Sequence, residues 1–260
     1  MILPTKIKKA SVTEPRVALI FAHSKCGKTS ALAQLPNSLI IDLESGADYY
    51  DCMSINVREE ALKENVSMLR MLMSIPPMIQ KANQDAGSKV YDFIILDTTS
   101  SLEDIAASLA LFRYKQSPMG KSFEGDSILK LASGAGYMWL REGFEEIYNM
   151  FKPLPAKCLI LSGHVKSANI NKKGVDLVAK DINLTGKLKQ IVCSDADAIG
   201  YMYRDVKDSV NKLSFLNEEQ DLASGARQDY LSGKEFTISK KTDKGLETYW
   251  NQIFPSINQK

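Results

Sequence analysis

Residues 17–29, Val-Ala-Leu-Ile-Phe-Ala-His-Ser-Lys-Cys-Gly-Lys-Thr, constrain this chain more than any other stretch. The β-branched and apolar run 17–21 suits a buried strand. It leads into a loop that closes on Gly27, Lys28 and Thr29, and residues 29–35 read as a short helix stopped by Pro36. Strand, loop and helix in that order are the context required by the phosphate-binding pattern G-x-x-x-x-G-K-[ST], with Ala22 standing where the first Gly usually is. The backbone N–H groups of Ala22, His23, Ser24, Lys25, Cys26, Gly27, Lys28, Thr29 and Ser30 are expected to form a nest around a phosphate chain. The positive end of the helix dipole adds to that nest. Lys28 would meet the β- and γ-phosphates as a point charge, and the Thr29 hydroxyl would ligate Mg²⁺. Ala at position 22 fits a negative φ and is strained at a positive one.

Composition narrows the class. With 260 residues, 44% of them hydrophobic, the chain can build one sizeable α/β core. Its 33 basic and 31 acidic residues leave a net charge of +2, so any nucleic-acid surface must be local. The four cysteines (Cys26, Cys52, Cys158, Cys193) form no C-x-x-C pair, and there are only two His. That argues against a zinc site and a disulfide framework, and predicts a reducing, cytoplasmic setting. Cys26 reads as a small neutral loop residue; the alternative is a thiol whose modification blocks nucleotide binding. The first residues hold no apolar segment fit for a signal peptide, and no run reaches transmembrane length, so no membrane partner is expected.

Further strands are predicted at 38–43, 93–96, 157–162 and 198–203. Residues 57–83 are helical in composition, with Met68, Leu69, Leu72 and Met73 on a core stripe and Pro76 and Pro77 placed to break or kink it. Helices are also predicted over 101–115, capped by Ser100 or Ser101, over 137–151 and over 185–192. Residues 117–136 are loop-like, and 166–183 are polar enough to predict a mobile loop. The alternation implies a mainly parallel sheet with helices on both faces. Residues 1–205 make its core, and 206–260 a small β-rich extension packed on it, one domain overall.

In open parallel sheets ligands lie beyond the carboxyl ends of the strands. Those ends carry acids and a histidine. Asp97, after four apolar residues, is placed to hold Mg²⁺ through water beside Thr29. Glu44, just past the second strand, is the candidate general base for water attacking the γ-phosphate. His164, at the end of the fourth, is placed to sense that phosphate. Lys166, Lys172, Lys173, Lys180, Lys187 and Lys189 form a basic cluster, either a solvated face or a track for a phosphate backbone.

These features together make the chain resemble the RecA-like core ATPases, and most of all the compact phage-encoded group that works in recombination and repair beside single-strand-binding proteins. The likeness is one of motifs over residues 15–205. Residues 40–48, Ile-Ile-Asp-Leu-Glu-Ser-Gly-Ala-Asp, are similar to the segment that carries the catalytic base, which implies that role for Glu44. Residues 91–105 resemble the Walker B strand, with Asp97 in its place. Residues 159–166 lie where the family's phosphate-sensing strand usually ends in Asn-Gln; here the polar position is His164. Loops 117–136 and 166–183 occupy the places of the DNA-binding loops, implying DNA contacts from Lys121, Lys166, Lys172, Lys173 and Lys180. Lys187 or Lys189 would reach a neighbouring subunit's γ-phosphate in trans, and Arg227 is a further candidate. Residues 1–15 carry no polymerisation motif, so a homo-oligomer is implied by the resemblance alone.

The expectation is therefore a P-loop NTPase that uses ATP and Mg²⁺ in DNA recombination, repair or replication. It would couple ATP hydrolysis to single-stranded DNA and act beside a single-strand-binding protein or other recombination proteins, in a host cytoplasm if phage-encoded. Two alternatives stand. A nucleoside or nucleotide kinase needs an Arg-rich lid, and only Arg113 and Arg141 lie mid-chain. A non-catalytic, nucleotide-gated DNA-binding or annealing partner would show negligible hydrolysis.

Overall fold

A computed structural model of the chain describes residues 9, 12–172, 175–216 and 224–258. Strands β1 (Val17–Ala22), β2 (Ser38–Asp42), β3 (Ser54–Asn56), β4 (Phe93–Asp97), β5 (Cys158–Lys172) and β7 (Ala198–Asp205) form a parallel sheet in the order β3-β2-β4-β5-β1-β7. β2 and β4 are buried along their whole length, as parallel strands covered on both faces must be. Alternate residues serve opposite layers. Leu19 and Phe21 of β1 join one apolar cluster with Leu102, Phe144 and Tyr148. Ala18, Ile20 and Ala22 join the other with Leu32, Trp250 and Phe254.

Helices α2 (Val57–Lys63), α3 (Met68–Ala86), α4 (Thr99–Gln116), α5 (Ala135–Phe151) and α6 (Leu188–Asp195) accompany α1 (Lys28–Ala33). Beyond β7 the chain continues the same sheet with antiparallel strands β8 (Val210–Ser214), β10 (Glu235–Thr242) and β11 (Gly245–Thr248), while the short β9 (Gly225–Ala226) pairs with β7. The C-terminal residues return to the P-loop helix: the buried Trp250 Nε1 donates to the Ala31 carbonyl at 2.7 Å. Trp250→Ala is expected to cost about 3–5 kcal/mol, measured as a lower midpoint of chemical denaturation; an unchanged midpoint would show that the indole anchors nothing.

Four local expectations need correction. The helical stretch 57–83 is two helices, parted by a left-handed Asn65 (φ 52°), and Ser67 caps the second by accepting from Arg70 N at 3.2 Å. α3 then runs through Pro76 and Pro77 without ending. An interior Pro costs about 3 kcal/mol, and the burial of Leu72, Ile75, Pro76 and Ile79 offsets it. The cap of α4 is Thr98, which accepts from Ser101 N at 3.4 Å, rather than Ser100 or Ser101, because β4 ends only one residue earlier. Finally, within the predicted loop 166–183 the residues 166–172 and 175–182 are strands. β5 extends to Lys172 and pairs antiparallel with β6 (Val175–Ile182), from Val165↔Ile182 to Lys172↔Val175. Main-chain pairing carries that hairpin, so its polar composition misleads. Among the described residues no helix is long and apolar enough to cross a membrane.

Candidate functional site

The loop after β1 has the shape its sequence predicts. Ala22 is the buried last residue of the strand, extended rather than left-handed, so Ala is tolerated where the pattern has Gly. The left-handed positions fall on Lys25 (φ 61°) and Gly27 (φ 94°). Gly27 is required twice over, because a Cβ there would also lie 3.0 Å from Asn211 Nδ2. α1 starts at Lys28, shorter than predicted, and no side chain caps its first turn. Its leading amides thus have no side-chain acceptor. His23, Ser24 and Lys25 are exposed at the rim. Cys26 is half-buried and burial pushes its thiol up, which favours the small neutral loop residue over a reactive thiolate.

One carboxylate gathers the loop to the neighbouring strands. Asp97 Oδ2 accepts from Thr29 Oγ1 at 2.8 Å, and its Oδ1 accepts from Ser162 Oγ at 2.5 Å. Lys28, 6% exposed, donates to the Gly163 carbonyl at 3.1 Å and stands 3.7 Å from Asp97 Oδ1. Burial lowers the pKa of Lys28, and the charges of Asp97 and Glu44 oppose that. The cause of the convergence is strand order. β5 lies between β1 and β4, in registers that set His164 beside Ala22 and Ser162 beside Asp97. Thr29 and Asp97 offer a hydroxyl and a carboxylate within hydrogen-bond distance, a hard oxygen set that fits Mg²⁺. No larger His/Cys/Asp/Glu cluster suited to a metal occurs among the described residues.

Glu44 reaches the site from the next strand over. Leu43 N bonds the Asp97 carbonyl at 2.8 Å, and the Asp42 carboxylate accepts from Glu44 N at 2.9 Å and Ala47 N at 2.7 Å, which turns the chain. Glu44 Oε1 then accepts from Thr98 Oγ1 at 2.6 Å and Ser101 Oγ at 2.8 Å, and Oε2 accepts from His164 Nε2 at 3.2 Å. A carboxylate only accepts, so Nε2 carries the proton and Nδ1 faces Ser24 Oγ of the loop at 3.5 Å. The His164 hydrogen bond holds the Glu44 carboxyl at about 2 against an ordinary 4.5; burial opposes it, and Thr98 and Ser101 assist. Because the folded value is depressed, the stabilisation is complete above pH 4.5 and is lost as pH falls through about 2. His164→Ala removes the largest cause, so its acid-unfolding curve should begin at higher pH than that of the unaltered chain. Coincident acid limbs would contradict the coupling.

The sequence named Glu44, Lys28, Thr29, Asp97 and His164, and the structure brings them to one place. It adds Ser162, Gly163, Thr98 and Ser101, whose only sequence signal is that they sit within a few residues of a strand end. The basic candidates are dispersed. Lys166 donates to the Leu184 carbonyl at 2.8 Å, Lys180 lies over the Tyr201 ring at 4.4 Å, and Lys189 pairs with Asp181 at 2.6 Å. Arg227 is held by Asp197 at 2.9 Å and by the Ser194 carbonyl at 3.0 Å. Lys121 and Lys187 are exposed, and neither side chain makes a hydrogen bond or ion pair among the described residues. Lys172 lies on β5, and Lys173 falls outside the described residues.

A mainly parallel, helix-flanked sheet with this loop at its carboxyl edge is the α/β fold of the P-loop nucleotide-binding proteins. A family model described as an AAA domain (AAA_24) matches residues 14–240, and the chain belongs to that family. No curated protein matches it in sequence. Among solved structures it is similar to the RadB recombinase, at 9% identity and a TM-score of 0.40, over 91% of this chain and 92% of that one.

Proposed function

We propose that the chain is a RecA-like ATPase of DNA recombination, repair or replication, hydrolysing Mg²⁺-ATP and coupling it to single-stranded DNA. The observation that supports this most is the placement of Glu44 on the strand end next to Asp97, linked through His164 to Ser24 of the phosphate loop. Thr29 and Asp97 would hold the metal, which supplies charge neutralisation at the β- and γ-oxygens when bound. Lys28 meets the charge that develops on the γ-phosphoryl group. Glu44, ionised at neutral pH, orients the attacking water in line and accepts its proton. Three side chains donate to that carboxylate, which can accept about four hydrogen bonds, so one acceptor position remains for the water. His164, which also faces the loop, is the partner positioned to report the γ-phosphate. Lys187 is available to a neighbouring copy's site, and Lys121 to a DNA strand.

Hydrolysis measured with and without single-stranded DNA, across a range of protein concentrations, tests all of this. The rate per chain should rise with DNA and with concentration. A rate indifferent to both removes the DNA coupling and the assembly. Phosphate transfer to added nucleosides in place of water would establish the kinase alternative, and no turnover under any condition the non-catalytic one.

A further inference from the structure

One hydroxyl beside the phosphate loop is fully buried: Ser162, which follows the apolar residues Cys158, Leu159, Ile160 and Leu161 of β5. A buried hydroxyl is costly unless it is hydrogen-bonded, so its partner matters. Side chains alternate along a strand. Leu159 and Leu161 enter the apolar cluster that holds Leu102 and Phe144, while Cys158 and Ile160 enter the one that holds Leu32 of α1. Ser162 therefore faces α1. Asp97 does likewise, because it follows Phe93 and Ile95 of that second cluster, and the strand register sets the two residues side by side.

Asp97 and Lys28 are both buried. Opposite charges in such a place attract strongly, because little solvent screens them. A closed ammonium–carboxylate pair has an N–O distance of about 2.7–2.9 Å. Here Lys28 Nζ stays 3.7 Å from Asp97 Oδ1 and donates instead to the Gly163 carbonyl at 3.1 Å. A hydroxyl holds each oxygen of the carboxylate: Thr29 Oγ1 donates to Oδ2 at 2.8 Å, and Ser162 Oγ donates to Oδ1 at 2.5 Å. Ser162 is itself fixed by strand pairing on both sides, opposite Ile20 of β1 and Asp97 of β4. Its hydroxyl is thus a rigid donor on the carboxylate oxygen that lies nearest Lys28.

We propose that Ser162 is a positioning residue: by pinning Asp97 Oδ1 it keeps the carboxylate from closing on Lys28, and so leaves that ammonium free for an incoming phosphate chain. The proposal rests on residues 22–30 being a triphosphate cradle, and it gives β5 a part in arming that cradle. The full chain can be titrated with ATP by calorimetry in the absence of Mg²⁺, so that no metal stands between Asp97 and the nucleotide. Ser162→Ala removes one oxygen and should weaken ATP about tenfold, the worth of a hydrogen bond to a charged group. The same substitution in an Asp97→Asn background should change nothing, since a neutral amide does not capture Lys28; the double-mutant comparison isolates that coupling. A crystal structure of nucleotide-free Ser162→Ala should show Lys28 Nζ moved off the Gly163 carbonyl and onto Asp97 Oδ1. Unaltered ATP affinity in a folded Ser162→Ala overturns the proposal. So does an equal loss in the Asp97→Asn background, or an Nζ that remains on the Gly163 carbonyl. An unaltered chain that binds no ATP overturns the cradle instead, and the crystal structure then still decides the role of Ser162.

Discussion

Replacing Lys28 with Ala is expected to abolish ATP hydrolysis, with a loss on the order of 10³-fold or more. Lys28 is a buried cation at the first position of α1, aimed between the loop and β5 by the Gly163 carbonyl at 3.1 Å. Its burial makes its charge effective, because little solvent screens it from a phosphoryl group in the loop. The same burial disfavours the charged form, so the site holds the ammonium at a cost that an incoming polyanion relieves. Lys28→Ala should therefore weaken triphosphate binding as well as turnover. Lys28→Arg is expected to be no full rescue, because a planar guanidinium fork does not reproduce the compact point charge that Lys28 places by Gly163 and Asp97. Single-turnover hydrolysis with a binding isotherm checks both effects. Turnover within tenfold of the unaltered chain would remove Lys28 from the mechanism.

Glu44→Gln should separate binding from chemistry. The amide keeps the size of the carboxylate and still accepts from Thr98 and Ser101 at its oxygen. The loop, Lys28, Thr29 and Asp97 are untouched, so ATP should bind as before. What disappears is the anionic acceptor for the water proton, a loss of about 10²–10⁴ in kcat. The pH dependence is a further mark. With its carboxyl held near 2, Glu44 is ionised throughout the neutral range, so its own titration should not limit the rate between pH 5 and 8. An acid limb in that range would have to come from another group. Normal kcat in Glu44→Gln would leave the carboxylate as a purely structural acceptor for Thr98, Ser101 and His164.

The strand–loop–helix at residues 17–33 is legible because each of its parts is local: an apolar run, a glycine that takes a left-handed φ, and a lysine and hydroxyl at fixed offsets. Asp97 and Glu44 are legible for a related reason, since an acid directly after a buried strand has few places to go. Where reading by composition failed, competing interactions decided. Packing of Pro76 carried α3 past its prolines, and main-chain pairing made antiparallel strands of the polar stretches 166–172 and 175–182.

Sequence alone determined the parallel α/β class, the phosphate loop and the acids that face it, because propensity, periodicity and turn chemistry act over a few residues. Only the tertiary structure decided that β5 inserts between β1 and β4. From that order follow a Thr29–Asp97 hydrogen bond across 68 residues of chain and a His164–Glu44 contact across 120, while the pairing of β8 on β7, on the other side of β1, delivers Asn211 beside Gly27. Such contacts depend on which strands become neighbours, and strand order is settled by burying two apolar faces at once, a property of the whole sheet that no short segment encodes.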